Sequence, residues 1–253
     1  MHMSGTGKKS DGHGRLGSVL SGLAVAVGCL LFLGGFAGGA LLYRPYTVPT
    51  GSMAPTFEGG SKVLAQRIDG DEVRRGDIVV FEDPLWGGST MVKRVVGVGG
   101  DTVACCGDQG RLTVNGTPVA EPYLRPGPDG TVRASGEDFT ATVPADSLFL
   151  LGDDRATSLD SRTHLEDAAQ GSVPRSTVVA RVDAVAWPLP GDLMDRPAAF
   201  AALPGGVSTP GPLPLLLTAV AAGAVLILGG AAYGPVAGRL RTRTRTPREK
   251  VKA

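Results

Sequence analysis

The sequence predicts a mainly β, barrel-like domain flanked by an N-terminal and a C-terminal transmembrane helix. Two long apolar segments lie near the ends of the 253-residue chain, at residues 16–43 and 213–233. Between them, short runs rich in β-branched residues alternate with Gly, Asn and Asp turn signals, and residues 44–190 show no strong helical period. The chain has 38 glycines, 19 prolines and only 5% aromatic residues, a composition that favours short strands and many turns.

The first apolar segment, residues 16–43, is long enough to cross a bilayer, which takes about 20 residues. A cleaved signal peptide is the alternative, but its apolar core would be only about 7–15 residues long. We therefore predict a transmembrane helix here. Residues 1–15 carry Lys8, Lys9 and Arg15 and are predicted to form a cytoplasmic basic tail.

The second apolar segment, residues 213–233, is followed by a basic tail at 234–253. A buried core helix is the alternative, but the basic flank favours a second span. Because positive flanks stay in the cytoplasm, we predict a two-pass plasma-membrane protein with both termini cytoplasmic and residues 44–190 extracytoplasmic. Residues 191–212 are rich in Pro, Gly and Ala and read as a linker. Nucleic-acid binding is disfavoured, because each basic cluster abuts an apolar segment.

The extracytoplasmic region contains six β-prone runs. They are residues 62–65, 77–81, 91–96, 111–114, 147–151 and 177–182. The pair Asn115-Gly116 predicts a two-residue hairpin, and residues 126–136 look like an inserted loop. Cys105 and Cys106 are adjacent; a disulfide between neighbours is uncommon, so they are expected to be free or buried.

Ser52 lies in the turn-prone run Pro49–Thr56, shortly after the first apolar segment. A serine hydroxyl is a weak nucleophile unless a neighbouring base takes its proton. The chain has three histidines, and His2 and His13 lie on the cytoplasmic side of the predicted topology, where they cannot reach Ser52. His164 could reach it, so a Ser-His-Asp triad stays possible. An ordinary turn serine is the competing interpretation.

Lys93 is the second candidate base, because burial can lower a lysine pKa enough to leave the amine neutral. It lies in the apolar run Met91–Val96, where its side chain points opposite to those of Val92 and Arg94. One of Lys93 and Arg94 can then be buried while the other is solvated. The competing interpretation is an edge-strand lysine that discourages aggregation.

Taken in order, these motifs resemble the type I signal peptidases, which are membrane-bound Ser-Lys serine proteases. The resemblance covers about residues 20–190 and begins with the membrane anchor. The motifs that follow are Val48–Thr56, Arg75-Gly76-Asp77-Ile78-Val79-Val80-Phe81, Lys93–Gly97 through Gly100-Asp101, and Gly152-Asp153-Asp154-Arg155 through Ser158–Arg162. Several such boxes in one order are far more specific than any one of them.

The resemblance implies a role for each matching residue. Ser52 corresponds to the nucleophile and Lys93 to the general base. Ser158 corresponds to the serine that orients the lysine amine. Thr50 corresponds to the hydroxyl that helps to form the oxyanion hole, where loss of one donor typically costs about 3–4 kcal/mol of transition-state stabilisation.

Other matching residues are expected to support the site. Asp160 and Arg162 correspond to a supporting acid–base pair, and Val48 and Val92 are candidates for lining the substrate pocket. Asp154 stands where the family often has asparagine, a departure that concerns local hydrogen bonding.

The implied function is signal peptidase I, a serine endopeptidase that removes signal peptides from exported preproteins after Ala-X-Ala. No metal or cofactor is expected. The implied partners are secreted preproteins, the lipid bilayer and the secretion translocon, with no nucleic acid. A lysine at position 93, where the endoplasmic-reticulum branch has histidine, favours the bacterial type. The alternatives are a Ser-Lys protease that shares the β-fold but acts on another target, such as a self-cleaving regulator, and a catalytically inert membrane β-domain that serves as a scaffold or adhesin.

Overall fold

The computed structural model describes residues 12–127 and 130–243. The outer parts of both predicted basic tails, and positions 128 and 129 of the predicted inserted loop, lie outside the described residues. The chain divides into two compact units. One unit comprises Met1–Leu41 with Pro212–Ala253, and the other comprises Leu42–Gly211.

The first unit consists of two long apolar helices. The three α-helices of the chain's described part are α1 (Gly12–Leu42), α2 (Ala198–Ala201) and α3 (Leu213–Arg243), and α2 belongs to the second unit. The segments Gly17–Leu42 and Leu213–Tyr233 are each long enough to cross a membrane and have a mean hydropathy of 2.3. Within the unit α1 and α3 pack together, and Ser21 Oγ donates to the Gly230 carbonyl at 2.7 Å.

The second unit is built from twelve β-strands. They are β1 (Tyr43–Thr47), β2 (Lys62–Gln66), β3 (Ile78–Glu82), β4 (Thr90–Val98), β5 (Thr102–Cys105), β6 (Thr113–Val114), β7 (Thr117–Pro118), β8 (Phe139–Thr142), β9 (Ser147–Leu151), β10 (Val173–Pro174), β11 (Val178–Trp187) and β12 (Asp192–Leu193). All pairings given for them are antiparallel.

Two sheets make up this unit and confirm the mainly β prediction. The larger sheet has the order β1-β2-β11-β3-β4-β9-β10, with β12 added to β11, and the smaller has the order β7-β6-β5-β8. Register shifts interrupt the pairing of β11 with β2 and β3, and of β4 with β9. Such irregularities bend strands and increase their twist, so the larger sheet curls into a half-barrel.

Strand β4 is buried on both of its faces. Val92, Val95 and Val96 each belong to a different apolar cluster of the core. The expectation that either Lys93 or Arg94 would be solvated is therefore wrong: both side chains are buried. The alternation of strand side chains is kept, but from Val92 to Gly97 both faces of the strand are buried.

The smaller sheet contains the predicted hairpin and the cysteine pair. Asn115 and Gly116 connect β6 to β7 with φ angles of 53° and 77°, as a two-residue turn between twisted strands requires. Cys105 and Cys106, expected to be free or separately buried, are instead joined by a disulfide bond at the end of β5.

Residues 194–211, which we call the C-terminal strap, pack on the β unit, although residues 191–212 are predicted as a linker. Phe200 and Leu203 are buried in the same apolar cluster as strands of the smaller sheet. Arg196 bridges Asp77 and Asp183. Composition suggested a tether because the segment is rich in Pro, Gly and Ala; its few large or charged residues are the ones that bind it to the domain.

Candidate active site

Ser52 lies in the loop that joins β1 to β2. The loop closes through hydrogen bonds from Val48 N to Ser61 O at 2.9 Å and from Gly60 N to Val48 O at 2.7 Å. Met53 and Phe57 are buried in the core and fix the loop from beneath. Ser52 itself stays half-buried, so its hydroxyl faces a cleft while the backbone around it is held by apolar packing.

Lys93 reaches Ser52 from strand β4. Its Nζ donates to Ser52 Oγ at 2.9 Å and to the carbonyl of Val92 at 3.3 Å. The structure thus brings Lys93 to Ser52. His164 is occupied elsewhere: its ring stacks on Trp86 and its Nδ1 lies 3.1 Å from Asp167.

The surroundings of Lys93 favour a neutral amine. Burial lowers the pKa of Lys93 below its usual value, and the charges of Asp160 and Asp153 raise it part of the way back. Both carboxylates are themselves held by arginines: Arg162 pairs with Asp160, and Arg94 pairs with Asp153. Because each negative charge near the amine has its own positive partner, its pull on the lysine proton is reduced.

The loop from Gly152 to Ser158, which we call the catalytic loop, packs directly against Ser52. The Asp154 N–H donates to the Ser52 carbonyl at 3.0 Å. Gly152 is required by close packing, because a Cβ there would collide with Ser158 Oγ and the Ser52 carbonyl. The position of Ser52 therefore depends on the position of this loop.

Thr50 and Ser158 are the two other hydroxyl residues predicted to belong to the site. Thr50 is exposed, and its hydroxyl donates to Ser52 Oγ at 3.3 Å. Ser158 is buried, and its hydroxyl lies near Asp160, whose pKa it helps to lower. Within the described ranges, Ser158 Oγ has no partner in hydrogen-bonding geometry. Its expected contact with the Lys93 amine stays a prediction.

Asp160 is buried behind the catalytic loop and pairs with the half-buried Arg162. Arg162 binds Asp160 with Nε at 2.9 Å and Nη2 at 2.8 Å, and Asp160 also accepts from the Gly152 N–H at 3.0 Å. Burial alone would raise the pKa of Asp160, but the hydrogen bonds and charge of Arg162 outweigh it, so the pKa is lowered. Asp160 is thus an anion that holds Gly152 in place.

Val48 and Val92 line a cleft of about 380 Å³ that contains Ser52 and Lys93. Both valines are buried beneath it. The other lining residues are Pro49, Thr50, Gly51, Ser89, Thr90, Met91, Thr157 and Leu159. Among the described residues, no group of three or more His, Cys, Asp or Glu side chains could hold a metal ion.

Sequence reasoning missed three residues around the site. Thr56 donates to Asp153 at 2.5 Å, Tyr123 stacks its ring 3.9 Å from the guanidinium of Arg94, and Glu121 pairs with Arg155. Glu121 and Tyr123 come from the loop after β7, far from the motifs along the chain. No spacing in the sequence signals contacts of this kind.

Comparisons with known proteins agree on one family. The family model described as "Signal peptidase, peptidase S26" matches residues 20–187. The probable signal peptidase I of Mycobacterium leprae is 34% identical over 202 residues, covering 57% of this chain and 68% of that protein. Signal peptidase I of Mycobacterium tuberculosis is 33% identical over 195 residues, covering 57% and 65%. Signal peptidase I of Bacillus caldolyticus is 37% identical over 158 residues, covering 58% and 81%. The matched region contains Ser52, Lys93 and the whole catalytic loop.

Proposed function

Since the chain belongs to the signal peptidase family, peptidase S26, and is a serine endopeptidase of the type I signal peptidase class, we propose that it removes signal peptides from exported preproteins with a Ser52–Lys93 dyad. The observation that carries this proposal is the 2.9 Å contact between Lys93 Nζ and Ser52 Oγ in a buried setting that lowers the lysine pKa. A neutral amine at that distance can take the serine proton.

The proposed reaction passes through an acyl-enzyme. Neutral Lys93 takes the proton of Ser52, whose Oγ attacks the carbonyl carbon of the scissile bond. The tetrahedral intermediate collapses, the C–N bond breaks, and the Lys93 ammonium gives its proton to the leaving amine. Lys93 then takes a proton from water, whose oxygen attacks the ester carbonyl. The bond from that carbon to Ser52 Oγ breaks, Lys93 returns the proton to Oγ, and the signal peptide leaves with a new carboxyl terminus.

Thr50 and Ser158 assist this reaction. The hydroxyl of Thr50 donates a hydrogen bond to Ser52 Oγ. During the reaction it rotates and donates to the developing oxyanion, beside the backbone N–H of Ser52. Ser158 accepts a hydrogen bond from the Lys93 amine and keeps it directed at Ser52. Its hydroxyl is buried beside Asp160, and a hydroxyl whose proton points at that carboxylate still has lone pairs to accept from the amine.

The cleft supports a preference for small residues before the scissile bond, as in Ala-X-Ala. Val48 and Val92 are β-branched, buried and stiff, so the cleft wall they form yields little to a larger side chain. An extended substrate would lie along the start of β4, whose residues Thr90–Lys93 line the same cleft.

Membrane attachment completes the proposal. Gly17–Leu42 and Leu213–Tyr233 anchor the enzyme in the plasma membrane, with both basic tails cytoplasmic and the β unit extracytoplasmic. Its partners are then secreted preproteins, the lipid bilayer and the secretion translocon.

To test the proposal, the full chain in detergent is incubated with a synthetic preprotein that contains an Ala-X-Ala site, and the masses of the products are determined. We expect one cut after the second alanine, which disappears in Ser52→Ala and in Lys93→Ala, although both variants keep the circular dichroism spectrum of the wild type. Near-normal cleavage by either folded variant would contradict the dyad. No cut by folded wild type would contradict the proposed function.

A further inference from the structure

Glu121 is a buried carboxylate that the proposed reaction does not use. Its side chain is 3% exposed. Arg155 donates to both of its oxygens, with Nη1 at 3.0 Å from Oε2 and Nη2 at 2.5 Å from Oε1. The hydroxyl of Tyr123 donates a further hydrogen bond to Oε1 at 2.6 Å. Glu121 is therefore a fully bound anion in the interior of the β unit.

Arg155 connects this anion to the catalytic loop. Its Nε donates to the Gly152 carbonyl at 2.9 Å, and its Nη1 also donates to the Ala134 carbonyl at 3.0 Å. Gly152 lies against the Ser52 carbonyl without space for a Cβ. A displacement of Arg155 would consequently move Gly152 against the backbone of Ser52.

Tyr123 makes a second connection from the same segment of chain. Its ring lies 3.9 Å from the guanidinium of Arg94, the residue that follows Lys93 on β4. Arg94 in turn binds Asp153 at 2.9 and 2.7 Å, inside the catalytic loop. The turn that carries Glu121 and Tyr123 thus touches two of the arginines that hold the loop, Arg94 and Arg155.

The carboxylate of Glu121 compensates the buried positive charge of Arg155. Arg155 is buried and has no other carboxylate within ion-pair distance in the described ranges. If the carboxylate of Glu121 is removed, a buried cation is left without compensation, and its surroundings must rearrange to solvate it. The atoms that Arg155 holds belong to the catalytic loop, so that loop would move.

We infer that Glu121 is a positioning residue for catalysis: through Arg155, it fixes the catalytic loop against Ser52. The inference rests on the proposed function. It adds to the site a residue that lies 69 positions along the chain from Ser52 and in none of the matching motifs. Glu121 touches neither Ser52 nor Lys93 in the contacts described, so its effect on the reaction is indirect.

The test is steady-state kinetics of Glu121→Gln in the full chain, with the synthetic preprotein as substrate. Glutamine keeps the shape but removes the charge. A misplacement of about 1 Å at reacting groups can cost roughly 100-fold, so we expect kcat to fall about 10- to 100-fold while KM changes little. Tyr123→Phe, which keeps the ring over Arg94, should lower kcat less. Glu121→Asp, which restores the charge, should recover part of the loss.

Asp101→Asn is the matched control. Asp101 and Arg75 also form a buried pair with two hydrogen bonds, with side chains 4% and 7% exposed. Both single variants should lower the unfolding midpoint, but only Glu121→Gln should lower kcat per folded molecule. The double variant Glu121→Met/Arg155→Met removes both buried charges, so the midpoint should recover. Its kcat should stay low, because the Gly152 carbonyl still lacks Arg155.

The inference is overturned if folded Glu121→Gln has the kcat of the wild type, or if Asp101→Asn loses kcat equally. Should Glu121→Gln fail to fold, Tyr123→Phe decides: a lower kcat supports the inference, and an unchanged kcat overturns it. If wild type itself cleaves nothing, the proposed function fails instead, so the two failures are distinguishable.

Discussion

Lys93 shows how single residues set the chemistry of the candidate site. Burial lowers its pKa, and the carboxylates of Asp160 and Asp153 act in the opposite direction. The arginines paired with those carboxylates limit their effect on the amine. The balance between burial and these charges therefore sets the pH at which Lys93 becomes a base.

The first prediction concerns the pH dependence of cleavage in Asp160→Asn. Asp160 raises the pKa of Lys93. Without its charge the pKa of Lys93 falls further, so the neutral amine persists to lower pH. Activity that requires neutral Lys93 is present above this pKa and is lost as the pH falls through it. The acidic limb of kcat/KM, measured as a function of pH, should accordingly move to lower pH, together with a lower maximum because Gly152 loses its partner.

Asp138→Asn is the control for this prediction. Asp138 is exposed and is not among the groups that shift the pKa of Lys93. Its profile should overlay that of the wild type. A limb that stays in place in Asp160→Asn, or moves to higher pH, would show that Lys93 does not set the acidic limb.

At the scale of elements, small residues at seven-residue intervals join the two apolar helices. Along α1 they are Ser21, Gly28 and Gly35, and each is opposed by one residue of α3. Ser21 bonds to the Gly230 carbonyl, Gly28 lies against Gly223, and Gly35 lies against the carbonyl of Leu216. The positions on α1 rise by seven as those on α3 fall by seven, as expected for an antiparallel pair. Small residues let helix backbones approach closely in a bilayer.

The second prediction tests this seam with neighbouring glycines. A Cβ at Gly35 would lie 3.0 Å from the Leu216 carbonyl, whereas Gly34 has nothing within 4 Å. Gly35→Leu should therefore separate α1 from α3. Ala24 and Leu226 line one cavity formed by the two helices. We expect oxidative cross-linking between cysteines introduced at these two positions, in a Cys29→Ala background, to fall several-fold in membranes.

Gly34→Leu is the matched variant, one residue away on the same helix. Because it adds the same side chain where space is open, cross-linking should remain at the level of the parent protein. Equal cross-linking in the two variants would mean that the seam does not hold the helices together in the bilayer.

At the scale of the whole molecule, the sequence predicts what is local. The hairpin at Asn115-Gly116 follows from turn chemistry, and the strand that carries Lys93 follows from its β-branched residues. The contacts that complete the site join distant parts of the chain: Thr56 and Asp153 are 97 residues apart, and Glu121 and Arg155 are 34 apart. Local patterns carry no information about such partners, which become neighbours only when the sheets curl and pack.

The packing of the C-terminal strap on the β unit is another contact that local sequence patterns do not predict. The third prediction tests this packing. Phe200 is fully buried and packs with Pro197 on Gly76, whose carbonyl accepts from Arg94, the residue after Lys93. Phe→Ala in a core typically costs about 3–5 kcal/mol. Phe200→Ala should therefore lower the free energy of unfolding of the β unit by about that amount, measured by urea titration of the full chain in detergent.

Leu189→Ala provides the comparison, since Leu189 lies just before the strap and is 72% exposed. A change at such a position usually stays within about 0.5 kcal/mol. If Phe200→Ala unfolds at the same urea concentration as Leu189→Ala, the segment is the tether that its composition suggests. If only Phe200→Ala is destabilised, the chain needs residues beyond the last long strand to complete the core, and the fold of the peptidase unit ends at the second membrane helix, not at β11.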